Sequence, residues 1–431
     1  MKQLSVDVLI IGSGPAGLAA AYQARQTGAK RVMMIERNRE AGGILPQCIH
    51  NGFGLRIYGR DLTGPEYAHR WLRQASDAGA ELLLRMMVLS IEHGPCVIAS
   101  GNGSLYKIQT KALVLAMGCR ERPRGALGIP GTRPAGIYTA GTAQRLVNID
   151  GYMPGRRFVI LGSGDIGMIM ARRLTLEGAV VVAMTEVLPY VSGLRRNLMQ
   201  CVHDFDIPLH LCTTVTDIRG KERVEAVVLS AVDSNWQPIR GSEREVACDT
   251  LLLSAGLIPE NELSRMAGAR LDALTGGPVI DEHHATSVPG LYAAGNVVHV
   301  YDLVDAVSES ALRAGRYAAE YALGVVHPGG DIIRLVPGDN VRHIVPQYIH
   351  RASIAQEEIA IEFRVRQPYE EPVLVQLIVE GQVLVSKRLR YARPSEMISL
   401  SIGPELTERL TPAHDLRVQV IRAGGSVSKV E

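Results

Sequence analysis

The sequence is poor in cysteine, and its cysteines are too far apart to form the common two-cysteine motifs. Six cysteines are spread over 431 residues, and none of them forms a C-x-x-C. This spacing argues against an iron–sulfur cluster, a zinc ribbon or a thioredoxin-like dithiol, and we predict no metal site. We expect reduced, mostly buried thiols at Cys48, Cys96, Cys119, Cys201, Cys212 and Cys248.

A large charge imbalance and a long apolar run are also missing. The formal net charge is +2, which gives no electrostatic case for a nucleic-acid partner. No apolar stretch approaches the roughly 18 residues of a transmembrane helix, so we expect no membrane span. A β-like run begins soon after Met1, and we therefore expect no signal peptide and a cytoplasmic location. The length predicts about three domains of roughly 150 residues each.

Glycine, in contrast, is abundant and forms the same motif twice. Residues 12–17 read GSGPAG, and residues 162–167 read GSGDIG. Each motif follows a short apolar β-like run, at 6–11 or 158–161, and opens a helical stretch. This order of strand, turn, helix and strand predicts two βαβ units. We therefore expect an α/β fold with two Rossmann-like dinucleotide-binding domains.

The three glycines of such a motif have separate physical roles. The first permits a tight turn, the second lets the backbone approach a pyrophosphate, and the third allows close helix–strand packing. The helix N-terminus then offers N–H groups and the positive end of its dipole to the phosphates. Two nucleotide sites in one chain indicate that electrons move between two cofactors.

A glutamate follows the first glycine of each motif by the same interval. These residues, Glu36 and Glu186, would accept hydrogen bonds from ribose hydroxyls. A carboxylate at this place disfavours a 2′-phosphate, so we expect the second site to prefer NAD(H) over NADP(H). A loop could bring Arg195 and Arg196 near the site, and this keeps NADP(H) open as the less favoured cofactor.

The last hundred residues follow a different pattern. Apolar residues alternate with polar or small ones, which predicts a hairpin and further strands, and the tail is expected to be an all-β, sandwich-like domain. We expect the linker to this domain near residues 327–331. The predicted strands cover residues 359–365, 373–379, 382–389, 397–402 and 416–421.

Further motifs follow in a fixed order. Gly42 and Gly43 come after Glu36, residues 112–118 read ALVLAMG, and residues 290–296 read GLYAAGN. With these motifs the chain resembles the two-dinucleotide-domain flavoproteins of the pyridine nucleotide–disulfide oxidoreductase superfamily, over about residues 5–325. The resemblance implies FAD at the first motif, a nicotinamide nucleotide at the second, and an NAD domain inserted in the FAD domain. The implied domains are an FAD domain at 1–120 and 258–330, an NAD(P) domain at 121–257, and a C-terminal β-rich domain at 331–431.

The resemblance also implies which residues contact each cofactor. Val88 lies on the strand whose backbone meets adenine, and the helix after Asp302 would direct its N-terminus to the flavin pyrimidine edge. Asn296 stands where the family has an aspartate that holds the ribityl chain, and an amide can both donate and accept. Asp165 is expected either at the NAD site or as a cap of its own helix. The expected FAD residues are Gly12, Ser13, Gly14, Pro15, Ala16, Gly17, Glu36, Arg37, Gly43, Val88, Gly118, Gly295 and Asn296. The expected NAD residues are Gly162, Gly164, Asp165, Ile166, Gly167 and Glu186.

The sequence departs from the family at the segment after Gly43. Disulfide reductases have two cysteines at the second and seventh places after this glycine, and here those places hold Leu45 and His50. A disulfide, lipoamide or thioredoxin reductase is therefore not expected. Cys48 and His50 are the candidate catalytic side chains: His50 could relay a proton to the flavin, or Cys48 could lie near the ring. In the other interpretation, both only pack in a loop that lines the flavin.

Four segments, at 42–54, 117–123, 152–155 and 256–263, carry a narrower resemblance. They are similar to FAD-dependent oxidoreductases found with glycerol-3-phosphate-dehydrogenase-type flavoproteins, and to flavoprotein subunits of opine oxidase, hydrogen cyanide synthase and heteromeric sarcosine oxidase. The resemblance implies hydride exchange between NAD(H) and FAD, beside a second flavoprotein or electron-acceptor subunit that oxidises an amine or alcohol.

Two other functions stay open at this point. One is a free-standing NADH:acceptor reductase or oxidase, and the other is a non-catalytic nucleotide-binding scaffold. The C-terminal β-domain could dock the partner, or it could cover a hydrophobic face or support a homo-oligomer.

Overall fold

In the computed structural model of the protein, the described residues are 1–92, 95–327, 330–410 and 414–424. Two residues of the expected linker, Pro328 and Gly329, lie outside them, as does the end of the expected C-terminal domain. The chain divides into two units. The first contains Met1–Pro46, His50–Cys119 and Pro259–Glu431, and the second contains Gln47–Ile49 and Arg120–Ile258.

Strands and two long helices alternate in the chain up to residue 121. The helices are α1 (Pro15–Gln26) and α2 (Gly64–Asp77), with a 3₁₀ turn at Leu45–Gln47. The strands are β1 (Lys2–Ile11), β2 (Val32–Ile35), β3 (Asn51–Phe53), β4 (Leu62–Thr63), β5 (Glu81–Leu83), β6 (Met86–Glu92), β7 (Cys96–Gly101), β8 (Ser104–Leu115) and β9 (Cys119–Glu121).

The middle of the chain repeats this alternation. Its helices are α3 (Arg124–Leu127), α4 (Ala140–Asn148), α5 (Asp165–Leu176) and α6 (Arg195–Asn197), followed by a π-helical turn at Leu198–Val202 and a 3₁₀ turn at His203–Phe205. Its strands are β10 (Ile137–Thr139), β11 (Arg157–Leu161), β12 (Val180–Thr185), β13 (Leu209–His210), β14 (Thr213–Arg219), β15 (Ala226–Ala231), β16 (Arg244–Ala247), β17 (Thr250–Leu253) and β18 (Leu257–Pro259).

Strands predominate in the rest of the chain. Its helices are α7 (Glu262–Met266), α8 (Val304–Ala322) and α9 (Arg351–Ile354), with 3₁₀ turns at Gly295–Val297 and Pro404–Arg409. Its strands are β19 (Leu291–Ala293), β20 (Ile332–Pro337), β21 (Val341–Val345), β22 (Tyr348–His350), β23 (Ile359–Val365), β24 (Val373–Val379), β25 (Gln382–Leu389), β26 (Ile398–Ile402) and β27 (Leu416–Arg422).

The main sheet of the first unit has the strand order β5-β2-β1-β8-β7-β6, and β19 also pairs with β8. Ile10 in β1 pairs in parallel with Met34 on one side and Val114 on the other. Helix α1 lies very close to α8, since a Cβ atom on Gly315 would be 2.3 Å from the carbonyl oxygen of Ala20. The first predicted βαβ unit is confirmed, and small residues let its helix pack tightly.

A five-stranded parallel sheet with the order β10-β17-β11-β12-β13 forms the centre of the second unit. Ile160 in its central strand pairs with Met184 and Leu252. Helix α5 connects β11 to β12, so the second predicted βαβ unit is also confirmed. Strands β14, β15 and β16 form a separate antiparallel sheet.

Two sheets form the C-terminal region, which belongs to the first unit. One has the order β22-β20-β27-β24-β25 and the other β21-β23-β26, and side chains from both share one apolar core. The alternation in β23 explains this packing, because Ile359, Ile361, Phe363 and Val365 are all buried. The expected sandwich-like arrangement is confirmed.

None of the helices in the described ranges combines the length and apolar character that a bilayer span requires.

Candidate functional site

The first glycine motif forms the turn between β1 and α1. Gly12 has a φ of +100°, and a Cβ atom there would be 2.5 Å from the carbonyl oxygen of Ala116. A Cβ atom on Gly17 would be 1.9 Å from the carbonyl oxygen of Gly12. Gly14 differs, because a Cβ atom there would be 3.8 Å from its nearest described neighbour, the Cα of Gly43. Two glycines are therefore required by packing, whereas Gly14 is not, so packing leaves open the expected role of Gly14 at a pyrophosphate.

The second motif forms the corresponding turn between β11 and α5. Gly162 has a φ of +97°, and a Cβ atom there would be 2.2 Å from the carbonyl oxygen of Ser254. A Cβ atom on Gly167 would be 2.7 Å from the Ser254 Cβ, whereas one on Gly164 would be 3.2 Å from the Ser254 hydroxyl. The middle glycine is again the least crowded, so the two turns repeat one geometry.

The helices after both turns begin at a glycine, which has no side chain to cap the helix. Gly14 and Gly164 are the N-cap residues, and both have extended backbone. In α5, the N–H of Gly167 donates to the Ser254 hydroxyl at 3.0 Å. Helix N-termini of this kind favour an anionic group through their N–H groups and dipole.

A buried glutamate lies beside each turn. The carboxylate of Glu36 accepts hydrogen bonds from the N–H and the hydroxyl of Ser13, both at 3.0 Å, and from the N–H of Asn38 at 2.9 Å. These bonds fix the Glu36 carboxylate directly after β2, beside the glycine turn. A ribose hydroxyl can donate to such a carboxylate.

Glu186 repeats the arrangement with an additional donor. Its carboxylate accepts from the N–H and hydroxyl of Ser163 at 3.0 and 2.5 Å, and from the N–H of Leu188 at 3.1 Å. The hydroxyl of Ser192 also donates to it at 2.9 Å. The second carboxylate is therefore held by two serines, and the geometry of the first motif recurs in the second unit.

Residues 6–314 match the family model described as pyridine nucleotide-disulphide oxidoreductase. The chain belongs to this family. The match includes both glycine turns and both glutamates. The protein is accordingly an oxidoreductase that uses FAD and a pyridine nucleotide, and the predicted enzyme class is confirmed.

Two relatives provide useful comparisons. The chain is 27% identical over 345 residues to an opine oxidase subunit of Agrobacterium tumefaciens, and the match covers 74% of this chain and 65% of that relative. It therefore spans less than two thirds of that relative's length. It is 28% identical over 327 residues to a thioredoxin reductase of Treponema pallidum, covering 73% of this chain and 96% of the relative.

A solved structure confirms the fold. The thioredoxin reductase of T. acidophilum superposes with a TM-score of 0.61 at 24% identity, covering 74% of this chain and 99% of that one. At this identity the likeness concerns the fold, which has two dinucleotide-binding domains. The predicted fold class and family resemblance are therefore both correct.

Other residues expected at FAD cluster around the first turn of this oxidoreductase. Gly43 has a φ of +62°, and a Cβ atom there would be 2.9 Å from the Cα of Gly14. Gly295 has a φ of +71°, and a Cβ atom there would be 2.8 Å from the Cβ of Ala16. Gly118 has a φ of +72°. The fold thus brings Gly43 and Gly295 against the first glycine motif. The contact of these glycines with FAD stays a prediction.

Three further expected FAD residues have distinct surroundings. Asn296 accepts a hydrogen bond from the N–H of Tyr301 at 3.1 Å, and its amide nitrogen is 3.6 Å from the Sγ of Cys119. Val88 is buried in β6, and Arg37 is exposed directly after Glu36. Helix α8, whose N-terminus was expected near the flavin, begins at Val304.

The side chain of Asp165 does not cap its helix. Its Oδ1 accepts hydrogen bonds from the N–H of Leu194 at 2.8 Å and from the amide of Asn197 at 2.6 Å. The capping interpretation is wrong, because Gly164 is the N-cap residue of α5 and Asp165 is the first residue of the helix. The carboxylate anchors the segment that contains Leu194 and Asn197, and a contact with NAD stays a prediction.

The two candidate catalytic residues fall in different units. Cys48 belongs to the second unit, where its Sγ is 3.7 Å from the Oε1 of Gln144 in α4. His50 belongs to the first unit, where its ring centroid is 5.1 Å from that of Phe53. Burial raises the pKa of the Cys48 thiol to about 12. A thiol with this pKa is protonated at neutral pH, which favours the packing interpretation for Cys48 over a thiolate role.

We expect Cys48 to resist alkylation in the folded protein. With a pKa near 12, only about one thiol in ten thousand is ionised at pH 8, and the side chain is also buried. Iodoacetamide at pH 8, followed by peptide mass spectrometry, should leave Cys48 unmodified while the partly exposed Cys212 reacts. Both should react after unfolding in denaturant. Equal labelling of the two thiols in the folded protein would contradict this assignment.

Two residues of the second site were missed by the sequence reasoning. Ser192 holds Glu186, and Ser254 packs against all three glycines of the turn. A signal for Ser254 was present, because residues 254–256 follow β17 as residues 116–118 follow β8, with a glycine at the third place of each. Ser192 lies in a loop without a distinctive pattern, and only the folded chain brings it to the carboxylate.

Proposed function

We propose that the protein exchanges hydride between NAD(H) and FAD as the flavoprotein subunit of a heteromeric dehydrogenase. The observation that carries this proposal is the repeated site: in both units the middle glycine is the least crowded of the three, and a serine binds the glutamate. When bound, the two cofactors supply the hydride chemistry. The residues of the chain bind and orient them.

In this proposal the first turn holds FAD. The N–H groups at the start of α1 and the open backbone of Gly14 face the pyrophosphate, and Glu36 accepts from the adenosine ribose. Gly43 and Gly295 extend this surface, because both come against the motif. Asn296 would hold the ribityl chain with an amide in place of a carboxylate.

The second turn holds the nicotinamide nucleotide, with NAD(H) favoured over NADP(H). Glu186 is 4% exposed, and its carboxylate is fixed by Ser163 and Ser192. A 2′-phosphate at this position would bring a second negative charge against a buried anion, whereas a 2′-hydroxyl can donate to it. The exposed Arg195 and Arg196 are the residues that would counter this preference.

The proposed partner subunit is inferred from the missing cysteine pairs and from the relative that is an opine oxidase subunit. The sequence contains no C-x-x-C and no cysteine at either disulfide position after Gly43, so electrons are not passed to an internal disulfide. That relative is named as one of the subunits of opine oxidase, which supports a second subunit as partner. In the corresponding domain scheme, residues 1–120 and 258–330 bind FAD, residues 121–257 bind NAD, and residues 331–431 are the first region to test for docking.

The turnover rate with simple electron acceptors distinguishes the proposed subunit from a free-standing reductase or oxidase. We expect the full chain, purified alone, to be yellow and to lose its flavin band on addition of NADH. Turnover with oxygen or simple quinones should remain at least about 100-fold below the roughly 10 s⁻¹ typical of enzymes. Purification from the native host should recover a second protein that restores turnover.

Two results would count against the proposed heteromeric assembly. Rapid turnover of the isolated chain with a simple acceptor would favour a free-standing NADH:acceptor reductase. If NADH reduces the flavin but no co-purifying protein accelerates turnover, the proposed heteromeric partner would be ruled out.

A further inference from the structure

A cluster of metal-ligating side chains lies away from both glycine turns. Asp281 and His283 are on a hairpin closed by the bridge between Ile280 and Thr286, and His350 is at the end of β22. One ligand atom from each of Asp281, His283 and His350 lies within 4.8 Å of the others. The first unit contains all three residues.

We propose that Asp281, His283 and His350 bind a divalent first-row transition-metal ion of the zinc class. Two imidazoles and a carboxylate form a ligand set that suits such an ion and leaves a fourth position for water. Ligand atoms in a tetrahedral site with bonds of about 2.0–2.2 Å are roughly 3.3–3.6 Å apart. The three ligand atoms therefore need to close by at most about 1.5 Å, and we assign this closure to χ rotations of the side chains.

Glu282 supplies the outer contacts that metal-binding histidines commonly have. Its carboxylate lies 3.1 Å from the Nδ1 of His350 and 3.4 Å from the Nε2 of His283, and it accepts from the backbone N–H of His350 at 3.2 Å. Ser353 adds a contact of 3.2 Å to the Nε2 of His283. Because Glu282 contacts the Nδ1 of His350, we assign the Nε2 of His350 to the metal. We assign the Nδ1 of His283, because the Nε2 of His283 contacts Glu282 and Ser353.

The carboxylate of Asp281 is positioned by the hairpin itself. Its Oδ1 accepts from the N–H groups of His283 and Ala285, both at 2.9 Å. We assign Oδ2 to the metal. A cavity of about 100 Å³ is lined by Asp281, Tyr317 and Glu357 among others.

The proposed ion would link two parts of the first unit. Backbone bonds already join them, since the N–H of Gln347 donates to the carbonyl of Ile280 at 3.1 Å. The hairpin is also tied to β19, because the N–H of Ala293 donates to the carbonyl of His284 at 3.1 Å. Metal binding would therefore stabilise the join between the C-terminal sandwich and the strand that leads to Gly295.

Zinc titration of the full chain tests the proposal. After removal of metals with a chelator, Zn²⁺ alone is titrated in competition with a chromophoric chelator, and the thermal midpoint is measured with and without the ion. We expect one equivalent to bind and the midpoint to rise. His350→Gln and Asp281→Asn should each weaken binding at least about 100-fold, and Glu282→Gln about 10- to 100-fold.

Matched variants separate loss of ligands from loss of folding. Asn at 281 keeps an oxygen that accepts the two backbone hydrogen bonds, so this variant should retain the circular dichroism spectrum. His327→Gln is the control, because the ring of His327 is 4.9 Å from that of His283 but does not belong to the ligand set. This variant should bind Zn²⁺ as the unaltered chain does. Absence of stoichiometric binding, or equal loss in the control and in Asp281→Asn, would overturn the proposal.

Discussion

Replacing Gly14 with valine is expected to abolish FAD retention and leave the chain folded. A Cβ atom at this position has only an ordinary contact, 3.8 Å from the Cα of Gly43, so the fold itself tolerates a side chain. The added methyl groups would instead occupy the space in front of the turn, where the pyrophosphate must approach the backbone. We expect the affinity for FAD to fall at least about 100-fold, which corresponds to roughly 2.8 kcal/mol.

Flavin content after purification measures this effect. The visible flavin band and the flavin released on denaturation should both be lost in Gly14→Val, with an unchanged circular dichroism spectrum. Gly125→Val is the matched control, because Gly125 in α3 has no heavy atom within 4 Å of its Cβ position in the part of the chain that the structure describes. Full flavin content in Gly14→Val would refute the assignment of FAD to the first turn.

The second large effect concerns the choice of nicotinamide nucleotide. We expect the double variant Glu186→Ala, Val187→Arg to shift the ratio of kcat/KM for NADH and NADPH at least about 100-fold toward NADPH, roughly 2.8 kcal/mol. The substitution removes the carboxylate that Ser163 and Ser192 fix, and it adds a guanidinium that can pair with a 2′-phosphate. Flavin reduction by each cofactor under anaerobic conditions gives the ratio.

The single variants separate the effects of the two substitutions on the preference for NADH over NADPH. Val187→Arg alone should shift the ratio less, because the buried anion of Glu186 remains. Glu186→Gln keeps the shape of the side chain and removes its charge. This variant should discriminate less against NADPH, but it should not bind NADPH tightly, because it lacks the added guanidinium. If NADH and NADPH respond equally to the double variant, Glu186 does not lie at the ribose.

Much of this fold follows from local patterns. Gly12 and Gly162 have positive φ angles because a strand must turn tightly into a helix, and this requirement is visible in the sequence. The β-rich tail is visible in part: the buried residues of β23 alternate and the predicted bounds of β23, 359–365, match the structure, whereas β20, β21 and β22 were not predicted. In both cases interactions between residues close in sequence determine the structure, so the spacing of residue types is sufficient to predict these elements.

Contacts made by distant residues could not be predicted in this way. The Asp165 carboxylate binds donors at Leu194 and Asn197 instead of capping α5, and the sequence does not indicate that this loop returns to the helix. His350 comes to His283 and Asp281 only through pairing between the hairpin and the C-terminal region. Tertiary structure creates such sites, and no spacing rule along the chain predicts them.

The most direct test of the account is a single-turnover reduction. The full chain, purified with its flavin, is mixed with one equivalent of NADH in the absence of oxygen while the visible flavin band is recorded. We predict rapid loss of this band, slower loss with NADPH, and no band at all in Gly14→Val. A colourless wild-type protein, or a flavin band that neither nucleotide bleaches, would contradict the claim that the two glycine turns bring FAD and NAD(H) to one reaction.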